Sequence, residues 1–326
     1  MPLGLQYMAV AAFFFSLMNL LVKVAGSRIP SEEIVLSRSV VVMLITLWLM
    51  RRGRVPVWGV RKKLLLVRSV LGFTALSCFY FALTRLTLAD ATVLQFTSPV
   101  FTAILAFLIL GERLEWKSAA LILLSLGGVS LVARPAFLFG SLAAALDPLA
   151  VVVTLIGAML SAGAYVTVRR LNATEDPLVI VFYFATFSMI ASVPIVAPQA
   201  LMPRGPEWLV LLGVGLTTMA AQVSLTNALR LEEAARAVPV GYLQIVFAAV
   251  WGMLFFKEYP DGLGLLGAAL VIAGTFGIGR TRRNVPMPPS ETAPPQPPGF
   301  DPLPPPFLPL HPGPHAATSG EGPDDR

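Results

Sequence analysis

Ten runs of about 20 mainly apolar residues follow one another along this chain: 4–25, 33–50, 64–84, 89–110, 117–133, 149–168, 177–197, 207–229, 235–256 and 262–279. An α-helix of about 20 residues crosses the ~30 Å hydrocarbon core of a bilayer, and it satisfies its own backbone polar groups there. The runs therefore predict ten transmembrane helices. Composition agrees: 13% of residues are charged and 56% hydrophobic, against a charged share of about 25% in soluble domains. The single cysteine, Cys78, lies inside an apolar run. A disulfide framework is excluded, as are collagen-like and wholly disordered chains. The first run has no basic segment before it and is too long for a cleaved signal, so it is expected to stay as a span.

The net charge of +6 is unevenly placed. Residues 286–326 hold 15 of the 28 prolines, five acids and one base; removing them leaves 23 bases and 13 acids, a net of +10. Those bases sit in short loops between the runs, the pattern that sets membrane topology, and not on one solvated face as nucleic-acid binding would need. With the N-terminus in the cytoplasm, cytoplasmic segments collect 15 Lys and Arg and the opposite loops six (Lys23, Arg28, Arg85, Arg134, Arg204 and Lys257). The positive-inside bias therefore predicts both termini in the cytoplasm. The expected location is the inner (plasma) membrane of a bacterium.

Two stretches read alike at a fixed offset of 146. Phe81-Ala82-Leu83, Ala89-Asp90-Ala91, Phe101 and Glu112 match Asn227-Ala228-Leu229, Ala235-Arg236-Ala237, Phe247 and Glu258, and the same shift carries Gly128 to Gly274 and Arg134 to Arg280. Two halves of five spans follow. An odd number of spans turns the second half upside down relative to the first, the inverted-repeat plan of many secondary transporters.

The run Ala89-Asp90-Ala91-Thr92, Ser98-Pro99-Val100-Phe101, Gly111-Glu112-Arg113-Leu114 and Gly127-Gly128, echoed from Ala235 to Gly274, resembles the EamA-type branch of the drug/metabolite transporter superfamily. The resemblance covers roughly residues 5–280. It implies an all-α membrane protein with ten transmembrane helices in two inverted five-helix repeats. The repeats would occupy residues 1–140 and 141–285, followed by a disordered, Pro-rich cytoplasmic tail over 286–326. It also implies small organic solutes crossing a central cavity by alternating access. Arg38 and Arg68-Ser69 are similar to members that carry larger metabolites such as S-adenosylmethionine, although the seventh span has no arginine matching Arg38.

Polar groups in hydrocarbon are costly, so those facing the bundle interior are candidate solute contacts. Ser16 and Asn19 are three apart on the first span. Gln95, Ser98 and Thr102 form a stripe on the fourth, where Pro99 frees a carbonyl and permits a bend. Thr218, Gln222 and Thr226, with Asn227, do the same on the eighth. The ninth supplies Tyr242 and Gln244 after Pro239, and Tyr80 and Tyr165 offer aromatic walls. The alternative for each stripe is hydrogen-bonded helix packing, for about 0.6–2 kcal/mol a contact. Arg38 and Arg68 lie a few residues inside opposite ends of their spans. They would either snorkel to headgroups or meet an anionic solute group from opposite ends, as a gate. Glu112 and Glu258, ending equivalent spans, are read as structural caps or ion-pair partners, and Ala269, Ala273 and Gly277 as a close-packing stripe.

No histidine precedes His311, no acid lies mid-span and no phosphate-binding glycine loop is present. Metal sites, cofactors and ATP hydrolysis are therefore not expected, nor is a mid-span carboxylate relay. The leading expectation is an exporter or exchanger of a small organic metabolite, with a weak preference for anionic or zwitterionic solutes. The alternatives are a non-transporting scaffold or sensor and a membrane-embedded enzyme. The expected surroundings are lipid and solute without nucleic acid, and a homodimer is compatible with the sequence.

Overall fold

The computed structural model of the chain describes residues 1–26, 28–83, 85–86, 88–112, 115–133, 138, 147–198, 201–257 and 261–280. The Pro-rich stretch 286–326, Arg134 and Glu258 lie outside the described residues.

Ten helices are long and apolar enough to cross a membrane: Leu3–Ala25, Ser31–Arg52, Lys62–Ala82, Asp90–Leu110, Trp116–Ala133, Pro148–Leu171, Pro177–Val196, Glu207–Leu231, Ala234–Phe255 and Gly262–Arg280. Their ends follow local chemistry. Asp147 and Asp176 cap the sixth and seventh spans by accepting the amides of Leu149 and Leu178, each ahead of a proline in the first helical turn. A proline is harmless there, because the amide it lacks would have had no partner.

The fourth and ninth spans are discontinuous. On the fourth, helix Leu88–Gln95 stops, Ser98–Leu105 restarts with Pro99 in its first turn, and a π-helical turn, Ala106–Leu110, closes the span. The ninth opens with Ala234–Ala237, tightens into a 3-10 turn over Val238–Tyr242 that holds Pro239, and continues as Leu243–Phe256. Pro99 and Pro239 thus interrupt the hydrogen-bond ladder at corresponding stretches of the two halves.

Packing repeats with the sequence. The first span runs along the eighth and the sixth along the third; the eighth touches the second as the third touches the seventh; the first meets the ninth as the sixth meets the fourth. Advancing every span by five converts each pair into its mate. The second–seventh and fifth–tenth pairs map onto themselves. That is two inverted repeats about one axis.

The fifth–tenth seam is made of glycine. A Cβ on Gly128 would lie 2.6 Å from the carbonyl oxygen of Gly267, and one on Gly267 would lie 2.6 Å from that of Gly128. The packing face is Gly267, Val271 and Gly274, with Gly277 against Leu121. Of the expected stripe only Gly277 takes part, since Ala269 and Ala273 are exposed. Glycine permits closer backbone approach than alanine, and that decides which face turns inward.

Side-chain bonds assign the ends. The start of the first span (Gly4) lies against Glu232 at the end of the eighth, and Glu112 at the end of the fourth accepts from Ala234 and Ala235 at the start of the ninth. Arg236 pairs with Glu232 and reaches the carbonyl of Ile278 on the tenth. Opposite lie the Arg28–Glu207 and Arg85–Asp147 ion pairs and the amide of Leu201 on Glu33. Arg85 holds the exposed Asp147 carboxyl below the ordinary carboxylate range. The first group of contacts sits at the end of the bundle rich in Lys and Arg, called here the basic end.

Candidate functional site

A cavity of about 60 Å³ lies between the halves on the basic side of the middle. Its walls are Met8, Ala12 and Phe15 of the first span, Phe96, Ser98 and Pro99 at the break in the fourth, Tyr165, Leu225, and Val238, Gly241 and Gln244 at the break in the ninth. Liquid water takes about 30 Å³ a molecule, and small-molecule sites run to roughly 300–1,000 Å³. The cavity has room for about two waters and is too small for a metabolite.

Beside it lies the most unusual group in the bundle. Arg68, four per cent exposed, lays its guanidinium over the ring of Phe184 with Cζ 3.8 Å from the centroid. Its Nη2 donates to Oε1 of Gln222 over a long 3.4 Å, while Nε and Nη1 are buried with no hydrogen-bond partner among the described residues. Gly72, one turn along, leaves the room: a Cβ there would lie 2.8 Å from Nη1. Arg38, half-buried, lines a second, narrower cleft with Phe184, Thr218 and Gln222, and its Nη1 lies 3.8 Å from the sulfur of Met18. The placement of the two arginines in their spans suggested opposite ends of a pathway; the structure brings both to the surroundings of Gln222. A flexible stem of three methylenes carries each charge well away from its Cα.

The remaining candidates divide. Ser98, Pro99, Tyr165 and Gln244 line the cavity, and Thr218 and Gln222 the cleft. Gln95 donates to Ser161 across the fourth–sixth contact, and its buried Oε1 has no partner among the described residues. Thr102, Thr218, Thr226 and Asn227 donate to carbonyls four residues back in their own helices. Ser16 accepts from Nε1 of Trp251, which ties the first span to the ninth; Asn19 is exposed, so the two do not act together. Tyr80 is half-buried beside Phe79. Pro239 is buried in the 3-10 turn. Tyr242 is fully buried, and its hydroxyl donates to the carbonyl of Phe96 at 2.9 Å.

The basic end is closed by a buried ionic cluster. Glu112 accepts from the amides of Ala234 (3.2 Å) and Ala235 (3.1 Å), the free donors that open the ninth helix, and lies 3.5 Å from Nε of Arg169. Arg169 also donates to the carbonyls of Leu229 and Arg230, which closes the end of the eighth span. A carboxylate at a helix N-terminus and a cation at a C-terminus both suit the helix dipole. Glu112 thus caps a helix of the other half of the protein and pairs with Arg169 there. Phe184, Arg169, Glu232 and Glu233 carried no sequence signal of their own. Phe184 nevertheless lies 146 residues after Arg38, so the repeat points to it.

Ten spans in two inverted repeats, broken fourth and ninth helices meeting at Phe96 and Tyr242, and a small, mainly apolar pocket between the halves are the plan of a secondary transporter. The chain matches the EamA-like transporter family over residues 2–134 and 148–280, and it belongs to that family. It is 34% identical over 281 residues to the pseudopaline exporter CntI of Pseudomonas aeruginosa, covering 86% of this chain and 97% of that one. Human solute carrier family 35 member G1 is 31% identical over 286 residues, covering 84% and 78%. The S-adenosylmethionine uptake transporter of Rickettsia felis is 23% identical over 276 residues, covering 84% and 92%. One solved structure, 16% identical with a TM-score of 0.73, covers 84% of this chain and 95% of its own, and shares the fold. The protein is a multi-pass membrane transporter of small metabolites.

Proposed function

We propose that the transported solute is an amphipathic metabolite bearing an anionic group, itself anionic or zwitterionic. It moves outward across a bacterial inner membrane whose cytoplasmic face holds the basic end. The observation that carries this reading is Arg68. A cation in hydrocarbon costs about 2.5–3.5 kcal/mol on insertion scales, and a buried guanidinium is tolerated when its donors are engaged. Here the Phe184 face returns about 2 kcal/mol and Gln222 one long bond, while Nε and Nη1 have none. An incoming carboxylate or phosphate supplies the missing acceptors. Arg38 shares that cleft, and the apolar wall of Met8, Phe15, Phe96 and Leu225 suits the body of the solute. Outward movement is supported by the exporter among the relatives, and the orientation by the loop charges.

The test is a thermal-shift screen of detergent-solubilised protein against paired metabolites, each acid beside its neutral amide or ester. Binding to the folded form alone adds about 2.7 kcal/mol at a hundredfold excess over Kd. The expected result is a shift from acids only, lost in Arg68→Ala and reduced in Arg68→Lys, whose ammonium lacks the planar donor fork. Equal shifts from acids and their neutral partners would refute the charge assignment.

A further inference from the structure

The cluster at the basic end holds three carboxylates, Glu112, Glu232 and Glu233, and two guanidinium groups, Arg169 and Arg236. Both cations are engaged: Arg236 with Glu232 at 2.8 Å, the pair five and one per cent exposed, and Arg169 with Glu112 at 3.5 Å. Glu233 is eight per cent exposed, and among the described residues no hydrogen bond or ion pair reaches its carboxyl. It stands between the eighth and ninth spans, next to the two amides that Glu112 holds. The first span, which packs beside it, carries no ionisable side chain before Tyr7. The tenth contributes a carbonyl, that of Ile278, to Arg236. Among the described residues the fourth span brings Glu112 and the sixth Arg169.

We propose that Glu233 is a proton sensor on the inner seal: the carboxyl is neutral while the basic end is shut, and losing its proton favours opening. The charge count gives the direction. A third negative charge beside Glu112 and Glu232 is repelled by both and is largely withdrawn from water as long as the spans meet. Parting them hydrates it. Burial first, then the Glu112 carboxylate, raises the Glu233 carboxyl from 4.5 to about 7 in the sealed form. The sealed form therefore binds the proton more tightly than a hydrated, open one. The advantage this lends to the seal is complete on the acid side of 4.5, fades through the interval up to about 7 and is gone above it. Acidification at this end, the cytoplasm on the orientation proposed above, locks the transporter shut.

Hydrogen exchange at the amides of Ala234 and Ala235 reads the seal directly, because both donate to Glu112. In detergent the measurement does not depend on substrate or orientation, so it tests the switch apart from the solute assignment. After correction for intrinsic base catalysis, opening of these amides is expected to rise by up to tenfold per pH unit from about pH 5.5 to about pH 7, then level off. Glu233→Gln, neutral at every pH, should stay protected throughout. A flat wild-type profile, or the same profile in wild type and Glu233→Gln, would overturn the proposal. Should Glu233→Gln fail to fold, Glu233→Asp takes its place. Its shorter carboxyl draws back from Glu112 and must shift the levelling point toward acid, and an unchanged point is equally fatal.

Discussion

Gly111 and Lys257 are 146 residues apart, end the fourth-span and ninth-span helices, and adopt the same left-handed backbone, at φ of 68° and 56°. The turn they make is what each half needs to stop its helix and send the chain back, and glycine makes it without steric cost whereas lysine does not. A Cβ added at Gly111 would meet nothing within 4 Å, so backbone conformation alone decides its substitution. Gly111→Ala is expected to lower stability by about 1 kcal/mol. Gly127→Ala is the control, because that site lies in an ordinary helix and is equally open, so alanine should be neutral or stabilising. Urea unfolding in detergent compares them, and equal effects would mean that the left-handed turn carries no strain. The polar candidates separate in the same way: Thr102 and Thr226 are satisfied within their own helices, whereas Arg68 and Gln95 keep buried polar atoms without partners among the described residues.

Among the elements, the ten spans, their alternation and the repeat were all legible, because bilayer thickness fixes span length and few helices can hide a charge. What escaped was rotation about each axis. Ala269 and Ala273 have the right spacing for a packing stripe, but the contact uses Gly267, Val271 and Gly274, because glycine allows the closer approach and four-residue spacing alone cannot say which stripe wins. The inner seal was hidden for a related reason. Arg236 counted only toward orientation and the repeat, Glu232 and Glu233 carried no signal, and it is the packing of the first, fourth and ninth spans that buries them. Phe184 looked like one apolar residue among many, and its value depends on which guanidinium lies over it. Gly128 tests the seam. An alanine there would set Cβ 2.6 Å from a backbone oxygen of the facing span, which no rotamer can relieve. Gly128→Ala should cost about 1–3 kcal/mol as the fifth and tenth spans separate, read as a lowered unfolding midpoint. An unchanged midpoint would show that the seam is looser than a glycine contact.

At the scale of the whole molecule, two halves related by an inverted repeat can bring a residue against its own counterpart only near the axis that relates them. Phe96 and Tyr242 are such a pair: they are 146 apart, their ring centroids are 5.7 Å from each other, and both flank the helix breaks. The break ahead of Pro99 explains the bond. The amide of Val100 turns to Thr97 instead of continuing the ladder to Phe96, which leaves the Phe96 carbonyl to accept the Tyr242 hydroxyl. The bond is one-sided, because Phe96 has no hydroxyl to return. Sequence symmetry therefore fails at this contact, and the Tyr242–Phe96 hydrogen bond is one asymmetric link among those that join the halves. Tyr242→Phe keeps the ring and its packing but strands a buried carbonyl, which costs about 1–3 kcal/mol. For a bundle of this size the expected fall in the thermal unfolding midpoint is a few degrees. Phe96→Tyr supplies a hydroxyl but not the lost carbonyl partner, so adding it to Tyr242→Phe should not restore the midpoint. A Tyr242→Phe protein that melts with the wild type would place the clasp between the halves elsewhere.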